Sequence, residues 1–470
     1  MTAAAARSVS ALGAPSLQSG RQRAEYLPNP ACGSGSPGQR VLERRFRLNA
    51  IIRRSYGSAV RRVVSAAMLF ALAGVAGVAP DAAAKHKAPA PRTSHEQVAL
   101  PGLDAADQAL WQRLCFRVED AFDSTYGGFV TRQGVVSESA IDLAFLLGRR
   151  EHQERWRADG VYTVQWMLGL EDSVGGGFYA RRETAMGQGQ FERPTLLNAR
   201  RLENLIDAWD ATNDSRYWVS AVRLLEFAER NVVDGRGGFT SDPVGDQDLI
   251  PEVNGVAIHA WLRWWAAGRD PRRRDFAFRS IDRLWETSWR DSVGFVRTNS
   301  FGELLAAPKL VDQTEMGRAL VLSAQLGGRT SDLARARRVA DCMLSHFLDD
   351  RGTFRAEAPH RLSRFSRGAR RNARENARAA LFLCEVGHVA HEPRYIAAAR
   401  RAWHGFGKEL DKSKVDNADW ALAMDAAIAP VFPKRPPEGA KPIDHGRSPR
   451  TNSKSRLPAP ETKIGAETSR

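Results

Sequence analysis

Gly127-Gly128-Phe129 is the first of five short turns that recur along this chain, and the others are Gly176-Gly177-Phe178, Gly237-Gly238-Phe239, Gly294-Phe295 and Gly352-Thr353-Phe354. The Phe positions are separated by 49, 61, 56 and 59 residues, with two amphipathic helical stretches between each pair. Glycine supplies the positive φ of a tight turn, and the Phe that follows is expected to pack under the neighbouring repeat. The spacing therefore predicts a repeat of one helical hairpin plus one connecting turn.

Apolar residues at spacings of three and four place twelve helices around these turns. We predict a first helix over 106–122, five pairs, and a last helix over 416–430. The pairs are 135–148 with 151–169, 195–212 with 215–233, 254–267 with 272–288, 312–327 with 331–348, and 373–390 with 393–408. The loops inside pairs are short, which makes the two helices of a pair antiparallel neighbours.

The two members of each pair differ in how their apolar residues are distributed. First members are apolar on most sides, as in Ile141–Leu147, whereas second members such as 215–233 carry one apolar stripe and many charges. A helix that is apolar all round lies inside, and a striped helix faces water on one side. We therefore predict an all-α (α/α)6 toroid over residues 103–431, in which the first and last helices pair to close the ring.

Charge is concentrated outside this region. The net charge of +15 comes from residues 1–60 with +7, residues 61–102 with +3 and residues 432–470 with +5, which leaves the helical region neutral. Nucleic-acid recognition needs basic charge on the folded surface, so we predict no nucleic-acid partner.

The flanking segments have their own signatures. Residues 61–84 combine Arg61-Arg62, an uncharged stretch over 63–79 and a small-residue site at Ala82-Ala83-Ala84, the three parts of a secretory signal peptide. We therefore predict an exported, periplasmic or secreted protein; an anchor retained in the membrane through residues 63–79 is the alternative. Residues 1–60 are a disordered leader, a transit peptide or a stretch upstream of the native start. Residues 85–102 are predicted to be a linker, and 432–470 a disordered basic tail.

Few cysteines are present, and their setting is apolar. Cys115, Cys342 and Cys384 each fall inside an apolar helical pattern, which favours buried thiols over bridges or metal ligands. We predict neither a metal site nor a cofactor.

The turns and the helix openings together resemble those of a known group of proteins. Alternating inner and outer helices with Gly-Gly-Phe turns, and helix openings such as Asn213–Tyr217 and His391–Tyr395, resemble the six-hairpin glycosidase superfamily. The resemblance is greatest to the helical barrel that follows a thioredoxin-like domain in one family, and more distant to the N-acylglucosamine 2-epimerases. It implies a funnel at the N-terminal ends of the inner helices and a saccharide as substrate.

Polar residues occupy the expected funnel. We predict catalytic carboxylates at Asp312 or Glu315, opposite Asp142 or Glu138, because glycoside hydrolysis needs two acids on either side of a sugar. Predicted substrate-binding residues are Asn254, His259, Trp261, Glu375, Asn376, Asp419, Trp420 and Arg371.

Each of these residues also has a purely structural interpretation. Asp312 with Glu315 has the spacing of a helix cap with an acid three residues later, and so do Asn372 with Glu375. His259 suits a hydrogen-bonded core histidine, and the tryptophans suit core packing. Asp142 is the most informative acid, because it lies a turn beyond a helix start, in an apolar run where burial is costly without a partner.

A run of arginines bears on the substrate. Seven of them surround the start of the fifth inner helix, namely Arg361, Arg364, Arg367, Arg370, Arg371, Arg374 and Arg378. Guanidinium groups form paired hydrogen bonds to carboxylate or sulfate, which favours an acidic saccharide. A solvated basic loop is the alternative.

Three functions stay open at this stage. The first is an exported enzyme that acts on a saccharide by carboxylate acid/base chemistry. The second is a toroid without catalysis that binds a glycan or a protein, and the third is a sugar epimerase or lyase, which needs a base such as His. The oligomeric state is not predicted.

Overall fold

Our computed structural model describes residues 100–131, 134–150, 153–181, 192–243, 248–298, 304–359, 371–407, 410, 417–437, 439–440 and 442–443. Twelve α-helices lie in these ranges, as predicted. They are α1 Ala105–Asp120, α2 Glu138–Gly148, α3 Glu154–Met167, α4 Thr195–Thr212, α5 Ser215–Asn231, α6 Pro251–Gly268, α7 Pro271–Ser288, α8 Leu310–Gly327, α9 Thr330–His346, α10 Ala373–Val389, α11 Pro393–Phe406 and α12 Asn417–Ala426. A two-residue pair, β1 Trp289–Arg290 with β2 Gly294–Phe295, joins α7 to the next hairpin.

The even-numbered helices form a closed inner ring. Each packs against the next, from α2 through α4, α6, α8 and α10 to α12, and α12 returns to pack against both α2 and α1. The indole N–H of Trp111 on α1 donates to the Ala421 carbonyl of α12 over 3.2 Å. The predicted (α/α)6 toroid, closed by its first and last helices, is therefore confirmed.

The Gly-Phe turns stand at one end of this ring. Gly127 and Gly128 have φ of +102° and +90°, and a Cβ on Gly127 would lie 2.5 Å from the Trp166 ring. All five Phe side chains are buried, and Phe239 packs on Trp261 and Phe276 of the hairpin that follows it. The turns therefore fill the space between successive hairpins, as predicted.

One amide side chain near the start of an inner helix holds each of the last four turns. In each case the side-chain oxygen accepts from the backbone N–H of the turn Phe, and the side-chain NH2 donates back to the carbonyl of the same Phe. We call these four residues the amide clamps; they are Asn198, Asn254, Gln313 and Asn376.

The apolar core lies between the two rings. Its largest fully buried side chains include Trp111, Trp264, Trp403 and Trp420. The three described cysteines are buried and free, as predicted. None of the helices in the described ranges is long and apolar enough to span a membrane. The predicted leader and signal segment lie outside those ranges.

The inner helices run in the same direction, so the ring has two distinct mouths. The N-terminal mouth carries the Gly-Phe turns, and the C-terminal mouth carries the short loops inside the hairpins. Part of the tail that we predict to be disordered, up to Ile443, is described and lies at the C-terminal mouth, where the Ile443 N–H donates to the Gly268 carbonyl over 3.1 Å.

Candidate functional site

A cavity of about 570 Å³ occupies the C-terminal half of the ring, and all six inner helices contribute to its wall. Its charged and polar lining residues are Asp142, Arg149, Glu203, Asp207, Asp210, His259, Arg263, Arg318, Arg378, Glu385, Asp425 and Lys434. This volume is within the range of about 300–1,000 Å³ that is usual for small-molecule sites. The sequence analysis places the funnel at the N-terminal mouth, whereas this cavity is lined by residues from the middle and C-terminal parts of the inner helices. Charged side chains nearer the N-terminal mouth form a buried cluster.

The buried cluster consists of ion pairs. Glu315 on α8 accepts two hydrogen bonds from the Arg378 guanidinium, at 3.0 and 2.9 Å, and lies 3.0 Å from Nη2 of Arg200. Burial opposes ionisation of Glu315, but Arg200 and Arg378 outweigh it and hold the pKa of that carboxyl well below its usual range. Glu315 is thus an ionised partner of two arginines at neutral pH.

A histidine and a glutamate meet on the cavity wall. His259 on α6 makes a short hydrogen bond through Nδ1 to Oε1 of Glu203 on α4. Burial lowers the pKa of His259, against the opposing effect of Glu203. Burial would raise the pKa of Glu203, but His259, Arg263 and Arg200 lower it to about 2. A neutral imidazole in this pair donates its Nδ1–H to the Glu203 carboxylate, which makes Nε2 the nitrogen that accepts a proton.

Asp142 on α2 lies on the same wall. Asn204 donates to its Oδ1 over 2.7 Å. Burial, followed by the negative charges of Glu203 and Asp207, raises the pKa of Asp142 to about 7. A carboxyl that is about half protonated at neutral pH is suited to give or take a proton in a reaction.

Five other charged side chains of the wall form ion pairs with one another. Glu385 receives a bidentate contact from Arg318, with distances of 2.9 to 3.2 Å. Asp207 accepts from Arg149 and Arg263, at 3.1 and 2.8 Å. These pairs fix the shape of the cavity.

Asp425 on α12 is a second carboxyl with a raised pKa. It pairs with Arg150, which follows the end of α2. Burial raises the pKa of Asp425 to about 6, although Arg150 acts in the opposite direction. Asp142 and Asp425 therefore both bring protonatable carboxyls to the cavity from adjacent inner helices.

Two of the predicted catalytic acids lie nearer the N-terminal mouth. Asp312 is fully buried and receives Nε and Nη2 of Arg297, at 2.9 Å each, together with the Glu252 N–H at 3.1 Å. Burial raises the pKa of Asp312 despite Arg297. Glu138 lies 3.6 Å from Nε of Arg201. Of the four predicted catalytic acids, Asp142 lines the described cavity, whereas Asp312, Glu315 and Glu138 stand in ion pairs outside its lining.

Most predicted binding residues also have structural partners. Asn254 and Asn376 are amide clamps, and their side chains each make three hydrogen bonds to backbone groups. Trp261 packs between Phe239 and Phe276, and the nearly fully buried Trp420 packs on Phe406. His259 is the predicted binding residue that reaches the cavity.

The remaining predicted residues lie around the start of α10 and α12. Asp419 accepts from Ser139 over 2.8 Å and lies 3.6 Å from Nη1 of Arg378. Arg371 donates to Asp349 over 2.5 Å, within the last Gly-Phe turn. Glu375 occupies the third position of α10, where its backbone N–H is capped by Asn372. Arg361, Arg364, Arg367 and Arg370 lie outside the described residues.

Sequence reasoning did not single out several wall residues. Arg263, Arg318, Glu385 and Asp425 are each a charged residue inside an otherwise apolar inner helix, and Asn204, which holds Asp142, is an amide in such a helix. The available signal is position, since Arg263 follows His259 by four residues and so shares its helix face. Within the described ranges, no group of three or more His, Cys, Asp or Glu side chains is placed to hold a metal ion.

Known structures share this architecture at low sequence identity. A sugar epimerase from a ruminal bacterium superposes with a TM-score of 0.56 and 12% identity, covering 68% of this chain and 99% of that one. A D-mannose isomerase gives a TM-score of 0.56 with 11% identity, covering 69% and 98%. A family 76 α-mannanase from Bacteroides thetaiotaomicron gives 0.53 with 13% identity, covering 67% and 95%. These structures share the helical fold of this chain, so the predicted resemblance in fold is confirmed.

Sequence comparison adds no family. No family model matches the chain, and no curated protein matches it.

Proposed function

We propose that this chain is an enzyme that binds a saccharide in the cavity and transfers protons to and from it. The observation that carries the proposal is the placement of the His259–Glu203 pair and Asp142 on one cavity wall. Perturbed acids and bases in a concave pocket are typical of catalytic sites. The similar structures support the substrate class, since they are those of a sugar epimerase, a D-mannose isomerase and an α-mannanase.

His259 is the proposed base. The Glu203 carboxylate holds its Nδ1–H, so the proton-accepting nitrogen is Nε2. Because burial lowers the pKa of His259, the ring is neutral at pH 7 and ready to accept a proton.

Asp142 is the proposed acid. Its pKa of about 7 leaves a large protonated fraction at neutral pH, and Asn204 holds one of its oxygens over 2.7 Å. The ionised Glu203 nearby prevents easy loss of that proton, since two negative charges side by side are unfavourable.

These two groups suit a proton shift on an open-chain sugar. Nε2 of His259 takes the proton from the carbon beside the carbonyl, and the C–H electron pair forms the carbon–carbon double bond. The carbonyl π electrons take the proton of Asp142, which gives a neutral enediol. Isomerisation follows when the Nε2–H of the His259 imidazolium protonates the former carbonyl carbon, while the hydroxyl on the carbon that lost its proton gives its O–H proton to the Asp142 carboxylate and becomes the new carbonyl. Epimerisation follows when the enediol turns in the cavity and the imidazolium protonates the original carbon on its opposite face, while the hydroxyl at the original carbonyl carbon returns its proton to the Asp142 carboxylate.

Glycoside hydrolysis is the second candidate. It is favoured by the raised pKa values of Asp142, about 7, and Asp425, about 6, since such a reaction needs one carboxylic acid and one carboxylate. Asp142 is then the acid, as the sequence analysis predicts, and Asp425 takes the place of Asp312 or Glu315.

Two finer points are also proposals. The proposal that the saccharide is anionic is based on the arginine run between 361 and 378, most of which lies outside the described residues. Export rests on the signal-like segment at 61–84.

Solvent-isotope exchange tests the proton shift. Aldoses and ketoses are incubated with the full chain in deuterated water, and deuterium at the carbon beside the carbonyl is followed by NMR. His259→Gln and Asp142→Asn are expected to slow exchange by about 10²–10⁴-fold while the sugar still binds. The matched controls His346→Gln and Asp275→Asn, on the outer helices α9 and α7, are expected to keep the full rate.

Release of reducing sugar from oligosaccharides, measured on the same proteins, distinguishes hydrolysis. Cleavage without isotope exchange, lost in Asp142→Asn and in Asp425→Asn, supports the second candidate. Sugar binding with neither exchange nor cleavage rejects both reactions and supports the binding toroid.

A further inference from the structure

The chain does not end at the last inner helix but continues across the C-terminal mouth. We call residues 427–437, 439–440 and 442–443 the C-terminal strap. It leaves α12 at Ala426, and the Ile443 N–H then donates to the carbonyl of Gly268, the last residue of α6, over 3.1 Å. In the order of the inner ring α6 lies opposite α12, so the strap spans the mouth from one side to the other.

The strap has the composition of a stiff spacer. Prolines stand at 430, 433, 436, 437 and 442. Proline fixes φ and favours an extended chain that rises about 3.1 Å per residue. A segment of this composition stays extended across the mouth without needing many contacts along its length.

The first half of the strap forms part of the cavity wall. Pro430 to Lys434 line the cavity, and Phe432 is half-buried against the apolar core. Val431 is 62% exposed, and Lys434 and Arg435 are also exposed.

We propose that the strap limits the length of the saccharide that the cavity accepts. This inference rests on the proposed function, because it assigns the substrate size to the same cavity. A sugar bound against His259 and Asp142 has the strap on its C-terminal side, so further sugar units that extend towards that mouth would collide with Phe432 and its neighbours. The substrate class is therefore a monosaccharide or disaccharide.

The strap is loosened without touching the cavity by Ile443→Pro, which removes the N–H that bonds to Gly268. Ile443→Ala keeps that N–H and is the matched control. Phe432→Ala shortens the wall itself, and Phe116→Ala, on the outer helix α1 and 45% exposed, is its control.

Binding of neutral oligosaccharides from monosaccharide to hexasaccharide is measured by calorimetry on the full chain. The wild type and both controls are expected to bind the short sugars only. Ile443→Pro and Phe432→Ala are expected to gain about tenfold or more in affinity for the longer ones. The same length preference in all five proteins overturns the inference while the proposed function stands.

A second measurement does not depend on saccharide binding. The rate at which diethylpyrocarbonate modifies His259 is followed by mass spectrometry, with the exposed His404 as internal reference. If the strap covers the mouth, Ile443→Pro speeds modification of His259 relative to Ile443→Ala, and equal rates overturn the inference. If no sugar binds to any protein, the proposed function fails, and this rate alone decides whether the strap restricts access.

Discussion

Replacing Asn254 with Ala separates a structural role from a role in sugar binding. Asn254 is fully buried, and its side chain makes three hydrogen bonds: it accepts from the Phe239 N–H at 2.7 Å and donates to the Phe239 and Ile250 carbonyls at 2.9 and 3.0 Å. Each such bond contributes about 1 kcal/mol net, and a buried group left without a partner costs about 1–3 kcal/mol. We therefore expect Asn254→Ala to lower the free energy of unfolding by about 3 kcal/mol or more.

Urea unfolding followed by helix circular dichroism measures this change, and calorimetry on the same samples measures sugar binding. Gln313→Ala, which removes the equivalent clamp on Phe295, is expected to give a similar loss of stability. The control is Asn231→Ala at the exposed end of α5, where a single bond to the Phe227 carbonyl is lost. If Asn254→Ala keeps wild-type stability but no longer binds sugar, the clamp assignment is wrong and the original prediction of a binding residue is right.

Four further predictions concern charge and processing. Arg378→Met leaves Glu315 with one fewer buried partner and is expected to lower the free energy of unfolding, measured in urea, by about 3–5 kcal/mol. Adding Glu315→Gln should recover most of this loss, and a double variant as unstable as Arg378→Met contradicts the pairing. Because the pKa of Asp142 is raised to about 7, the folded state holds a proton that the unfolded state loses near pH 4. The contribution of this carboxyl to stability is therefore full below pH 4 and is lost as the pH rises to about 7. Asp142→Asn should remove a slope of up to about 1.4 kcal/mol per pH unit from the free energy of unfolding over this interval, and an unchanged slope contradicts the assignment. The rate of the proposed proton shift should likewise fall above pH 7 and, as His259 becomes protonated, at acid pH; a flat pH profile excludes both groups as the acid and base. Mass spectrometry of protein recovered from a secreting host should find a new N-terminus after Ala84, and an intact segment 61–84 contradicts the export prediction.

The helices were predictable because their signals are local. Turn glycines and apolar spacing placed all twelve, and the difference between the apolar α8 and the striped α5 identified the inner ring. Helix starts were less accurate. α6 begins at Pro251 and α8 at Leu310, each earlier than predicted, which places Asn254 and Gln313 a turn inside their helices, within reach of the Gly-Phe turns.

The site was harder to predict because its partners come from different hairpins. Asp142 stood out from its apolar run, and the structure places it on the cavity wall. Asp312 and Glu315 are also carboxyl residues near the start of an inner helix, yet each forms an ion pair, Asp312 with Arg297 and Glu315 with Arg378. Which arginine faces which acid depends on how neighbouring hairpins pack, and this information is not contained in the spacing within one helix.

The closure of the ring through α12 has a consequence for synthesis of the protein. The amide clamps join residues that are 15 to 22 positions apart, so each hairpin can form soon after it leaves the ribosome. By contrast, the bonds from Trp111 to Ala421 and from Ser139 to Asp419 join residues 310 and 280 positions apart. Until the last hairpin emerges, the nascent chain is an open arc whose acids and arginines stay hydrated. The cavity comes into existence only when α12 has emerged, and a chain truncated before α12 would therefore present its apolar inner helices to chaperones and proteases.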